Sequence, residues 1–154
     1  TIIGASSREN SPPTFYDTEM RIAQLLAGPH LFADMITAAE NNGYSVILIH
    51  GTGLGHLPIE NSMGDAPEND DLSAAISKCS IPIIIASQCI NGPVDLNVYS
   101  KGRKQQEIGI LGHGSTCSPE ALMLKIHWTL SNGKDIHDTL SSNLCGENDS
   151  TLMS

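Results

Sequence analysis

Two short runs, Tyr44–Ile49 (Tyr-Ser-Val-Ile-Leu-Ile) and Ile81–Ala86 (Ile-Pro-Ile-Ile-Ile-Ala), are apolar almost without interruption. A strand with one face in water alternates polar and apolar side chains. A strand covered on both faces does not, and such strands belong to parallel sheets sandwiched between helices. Ile22–Ala27, ended by Gly28-Pro29, reads as a third buried strand. Between it and Tyr44–Ile49, Leu31, Met35, Ala38 and Ala39 recur at helical spacing, and Asn41-Asn42-Gly43 supplies the stop. A second helix is expected over Asp71–Lys78. This alternation predicts an α/β fold of three layers, a mainly parallel sheet flanked by helices.

Downstream, the pattern predicts a short helix over Arg103–Glu107 and a fourth strand at Ile108–Leu111. Helices over Ser118–Ser131 and Asp135–Asn143 follow, the first with Pro119 at the position where a missing N–H costs nothing. An acidic loop is expected over Glu60–Asp71. Residues 1–20 are polar and hold Ser11-Pro12-Pro13, so they read as a linker or tail before a domain at 21–150. The first residue is Thr1, not Met, and the chain is expected to come from something longer.

With 8 basic against 17 acidic residues the net charge is −9, which argues against direct binding of a nucleic-acid backbone. No apolar stretch is long enough for a bilayer and no secretory signal is visible, so membrane attachment is not expected. Cys79, Cys89, Cys117 and Cys145 have no C-x-x-C spacing and read as reduced thiols of a cytoplasmic protein.

In parallel α/β sheets, ligand groups collect in loops after the carboxyl ends of strands. Two polar loops fall there, Gly51–Pro58 and Ser87–Arg103. The first, Gly51-Thr52-Gly53-Leu54-Gly55, is spaced G-x-G-x-G rather than G-x-G-x-x-G, so a plain tight turn is favoured over a dinucleotide site. His50 and His56 flank it without a carboxylate at metal spacing, and hydrogen-bonded loop residues are the plainer reading. Cys89 could be a nucleophile given a nearby base, but a small buried apolar residue is the simpler reading. Lys101, Arg103 and Lys104 read as a solvated helix face. Neither a cofactor nor a metal is expected, and these patterns alone name no reaction.

Three stretches in order resemble the asparaginase/glutaminase family, and within it the D subunits of archaeal glutamyl-tRNA(Gln) amidotransferases. The first is Ile47–Pro58, similar to the family's strand and G-T-G-x-G-H turn. The second runs from Ser87-Gln88-Cys89 through Asn97-Val98-Tyr99-Ser100 to Gly102-Arg103. The third is Ser118-Pro119-Glu120-Ala121 with Lys125 and Trp128, then Asn143–Glu147.

The resemblance implies the C-terminal domain of a two-domain subunit that hydrolyses a side-chain amide. Its nucleophilic Thr and the Thr-Asp-Lys cluster that activates it belong to an N-terminal domain, and no T-G-G-T or G-T-D-T segment occurs here. No catalytic residue is therefore expected in this chain, and the chain alone is expected to be inactive. By alignment His56 falls where secreted asparaginases place an Asn or Ser that reaches the neighbouring subunit's substrate, and Tyr99 lies near where they place a Glu. The site loops so implied contain Gly51, Thr52, Gly53, Gly55, Gln88, Cys89, Asn97 and Arg103. The implied partners are a second copy in a homodimer, the tRNA-binding E subunit, and glutamine or asparagine as substrate. The alternatives are a cytoplasmic L-asparaginase domain and a non-catalytic binding or dimerisation module.

Overall fold

The computed structural model describes residues 15–90 and 92–149. Three parallel strands, β1 (Ile22–Leu26), β2 (Val46–Gly51) and β3 (Ile83–Ser87), form a sheet in the order β1-β2-β3. The helices are α1 (Ala33–Asn41), α2 (Pro67–Lys78), α3 (Ser100–Glu107), α4 (Pro119–Ser131) and α5 (Ile136–Leu140). Every residue of β3 is buried, as are Val46 to Ile49 of β2, so the absence of polar alternation marked strands covered on both faces.

Alternation persists, but between two apolar layers. Ile47, Ile49, Ile83 and Ile85 point into one cluster with Ile36, Leu72 and Ile76 of α1 and α2. Val46, Leu48, Ile84 and Ala86 point into the other with Leu122, Ile126, Ile136 and Leu140 of α4 and α5. Each fully buried Ile or Leu contributes about 1.5–3 kcal/mol. The expected three-layer α/β architecture is what forms.

Several local expectations change. β1 pairs only with β2 among the described residues, and as an edge strand it exposes Gln24 and leaves Leu26 67% accessible. The acidic loop becomes helical at Pro67, where a proline in the first turn and the carboxylates of Glu68 and Asp70 suit the positive end of the helix dipole. Ile108–Leu111 is no strand. Gly109 within it and Gly112 just after it take φ values of +91° and +116°, leaving one parallel bridge between Leu111 and Ile84. α5 ends at Leu140 rather than Asn143, because the Lys125 ammonium and the Asn148 amide take the carbonyls of Leu140 and Ser142. Residues 15–17, expected in a tail, lie on α4: the Tyr16 ring stacks on His127 at 3.7 Å, and the Asp17 carbonyl lies 2.7 Å from Nε2 of that imidazole. Residues 1–14 of that tail lie outside the described residues.

Candidate functional site

Because β2 and β3 are parallel with Gly51 opposite Ser87, the chain leaves both strands at the same level of the same sheet edge. The two polar loops therefore emerge side by side, and hydrogen bonds join them. The Gln88 amide donates to Gly51 O at 2.8 Å, Asp95 N–H donates to Leu54 O at 3.0 Å, and the Ser87 hydroxyl donates to Gly53 O. The Gln88 side chain donates to Ala27 O at 3.0 Å and His50 O at 2.6 Å, which binds the end of β1 into the same edge.

The glycine-rich turn is folded onto itself. Thr52 and His56 exchange backbone hydrogen bonds of 3.0 and 2.8 Å, and Gly55 N–H donates to Thr52 O at 3.0 Å. A Cβ on Gly51 would stand 2.7 Å from the Gly55 carbonyl carbon, and one on Gly55 would stand 2.8 Å from Val94. Glycine is required here by close packing within the protein. With the amides of Thr52, Gly55 and His56 donated internally, the segment closes as a tight turn.

Those constraints deliver His56 to the second loop. Its imidazole meets the Tyr99 ring edge-to-face, centroids 5.2 Å apart and planes at 67°. Tyr99 is the residue that starts α3 and is 58% accessible. Burial first, and the Lys101 ammonium second, push the His56 imidazole below its ordinary pKa, so it is neutral at neutral pH. Its buried Nε2 has no hydrogen-bond partner among the described residues.

The second loop has its own scaffold. Arg103 donates to Asn97 O at 3.0 Å, Gln106 donates to Asn97 Oδ1 at 3.0 Å, and the Asn97 amide lies 2.9 Å from His113 Nε2. Lys104, expected to be solvated, donates to Ile59 O at 2.8 Å. Gln105 and His113 were missed by sequence reasoning, because a polar side chain that bonds to distant backbone leaves no local pattern. Gln105 is fully buried; it accepts from Leu57 N–H and donates to Gly55 O, both at 2.8 Å.

Cys89 is exposed, not buried as expected, because β3 ends at Ser87 and the chain turns out into solvent. It lines a groove of about 460 Å³ with Leu26, His50, Ile90 and Glu120, apart from the His56–Tyr99 pair. The hydroxyls of Thr52 and Ser87 are not paired with a base: Thr52 donates to His56 O at 3.1 Å and Ser87 to Gly53 O, backbone acceptors that take up no proton. Among the described residues no three His, Cys, Asp or Glu side chains gather around one possible ion position.

A three-layer α/β domain presenting paired loops at the carboxyl ends of adjacent parallel strands is a recurrent class of ligand-site scaffold. The profile of the Glutaminase/Asparaginase C-terminal domain family matches residues 21–140, and the chain belongs to that family. It is 30% identical over 132 residues to the D subunit of the glutamyl-tRNA(Gln) amidotransferase of Methanobrevibacter smithii, covering 84% of this chain and 28% of that protein. The corresponding D subunit of Sulfolobus acidocaldarius is 32% identical over 142 residues, 90% of this chain and 29% of that protein. The chain thus spans less than a third of these relatives. The fold matches the thermostable L-asparaginase from Thermococcus kodakarensis with a TM-score of 0.77 at 22% identity, covering 96% of this chain and 44% of that one. L-asparaginase I from Vibrio cholerae matches with a TM-score of 0.68 at 20% identity, over 84% and 38%. Among the described residues no helix is long and apolar enough to cross a membrane.

Proposed function

We propose that residues 21–150 are the C-terminal domain of a cytoplasmic, glutaminase-type amidotransferase subunit that releases ammonia from glutamine for amidation of Glu-tRNA(Gln). The reacting Thr and its activating residues lie in a separate N-terminal domain. This domain supplies His56 and Tyr99 to the active site of a neighbouring subunit in a homodimer, and an E subunit holds the tRNA. The observation that carries the reading is the convergence of His56 and Tyr99 from two loops leaving adjacent strands. Side chains on such fixed supports can complete a pocket formed by another polypeptide. Two facts support the rest: the relatives named above are amidotransferase D subunits, and the Thr52 and Ser87 hydroxyls are engaged with carbonyls rather than with a base. A net charge of −9 suits a division of labour in which another chain binds the nucleic acid.

The test replaces the matching segment of the Methanobrevibacter smithii relative with this chain and measures ammonia release. The fusion should hydrolyse glutamine, and His56→Ala should lower kcat/KM about tenfold or more, the cost of one good substrate contact. Preference for asparagine would make the domain part of an L-asparaginase. A folded, associated fusion inert toward both amides would leave a binding or dimerisation module.

A further inference from the structure

The backbone around His56 is held from two sides. On one side its own N–H and C=O pair with Thr52. On the other, the Gln105 carboxamide takes the carbonyl before His56 and the N–H after it, Gly55 O and Leu57 N, each at 2.8 Å. A primary amide offers one donor group and one acceptor, and here both are used on the two peptide units that flank a single residue. Gln105 is wholly inaccessible, so no solvent competes for either bond. Leaving a buried peptide group unpaired is costly, which makes this arrangement stiff.

The same helix carries the aromatic partner. Tyr99 starts α3, and Gln105 lies within it. The helix is seated on the second loop at Gly102, where a Cβ would stand 2.4 Å from Leu96 O. One short rigid element therefore positions the ring that His56 touches and the backbone from which His56 projects.

We propose that Gln105 is a positioning residue whose paired hydrogen bonds to Gly55 and Leu57 set the orientation of the His56 imidazole against Tyr99. Its importance for turnover rests on the reading of His56 as a substrate contact given above; its effect on the imidazole does not.

The primary test is nuclear magnetic resonance on the 154-residue chain. In Gln105→Met, which keeps volume but removes both bonds, the His56–Tyr99 ring cross-peak should be lost. The imidazole should also titrate nearer its ordinary range, as a ring released into solvent does. A folded Gln105→Met protein with an unchanged cross-peak and unchanged His56 titration would overturn the proposal. Should that variant fail to fold, Gln105→Glu serves: its carboxylate still accepts from Leu57 but repels Gly55 O, and the cross-peak should weaken at neutral pH. An unchanged cross-peak there would equally overturn it. In the active fusion, Gln105→Met should raise KM for glutamine about tenfold and change kcat less than about threefold, and the effect should vanish in a His56→Ala background. An equal effect in both backgrounds would show Gln105 acting on the fold and not through His56. If His56→Ala is itself silent, the substrate-contact reading falls while the resonance result stands.

Discussion

The Lys125 ammonium of α4 lies 2.8 Å from the Glu147 carboxylate, with 3% and 8% of the two side chains accessible. Lys125 also donates to Leu140 O at 3.1 Å and to Ser142 O, while Glu147 accepts from the amides of Leu144 and Cys145. The pair therefore fastens the segment after α5 to the helix before it. Removing one member of a buried pair leaves the other charge without its partner, which costs about 3–5 kcal/mol in fully buried cases. Glu147→Gln, with the Lys125 carbonyl bonds intact, should lose about 2–3 kcal/mol in urea unfolding. Adding Lys125→Met should cost less than the sum of the two single changes. Additive losses would mean that the two side chains act independently.

The same pair dictates acid sensitivity. Burial opposes ionisation of Glu147, but the Lys125 ammonium and the amides of Leu144 and Cys145 outweigh it and hold the carboxyl at about 2. The ordinary value is 4.5, so between these two pH values the unfolded chain binds the proton and the folded chain does not. The stabilisation is complete above about 4.5 and disappears as pH falls through about 2, amounting to about 3 kcal/mol. Urea midpoints measured from about pH 6 to about pH 2 should fall more steeply for the unaltered protein than for Glu147→Gln. Parallel slopes would remove Glu147 from the account.

Gly102 sits inside α3, where glycine is normally destabilising relative to alanine by about 1 kcal/mol. Here Gly102→Ala should reverse that preference, since the new methyl would press on Leu96 O at 2.4 Å, a backbone atom that cannot swing aside. Overpacking of this kind costs about 1–3 kcal/mol, which exceeds the gain in helix propensity. A stability higher than that of the unaltered protein would show that α3 moves freely over the second loop.

The layered fold was readable because β2 and β3 lack a polar face, so their apolar runs admit few other placements. β1 misled by the same logic: Leu26 lies in an apolar run, yet an edge strand leaves it in water. At 108–111 strand propensity was outweighed by two glycines of positive φ, Gly109 within the segment and Gly112 just after it. The positions of His56 and Tyr99 came from family resemblance, and no spacing between them signals contact. Lys125 and Glu147 were visible only as letters in a similar motif. The clamp by Gln105 was invisible, because its partners are backbone atoms remote in sequence.

His56 allows a last prediction, in which stability and activity should move apart. Its buried Nε2 has no partner among the described residues, and an unpaired buried polar atom costs about 1–3 kcal/mol. The edge-to-face contact with Tyr99 contributes about 0.5–1.5 kcal/mol beyond area. His56→Phe keeps an aromatic ring against Tyr99 while deleting the unpaired nitrogen, so the first effect wins and the chain should gain about 1 kcal/mol in urea unfolding. The same change should depress amide hydrolysis by the active fusion, because phenyl offers a substrate no hydrogen bond. A gain in stability together with a loss of turnover would place the imidazole in contact with substrate rather than in packing. If His56→Phe proves destabilising, the imidazole is a packing element, and its place in the site would rest on resemblance alone.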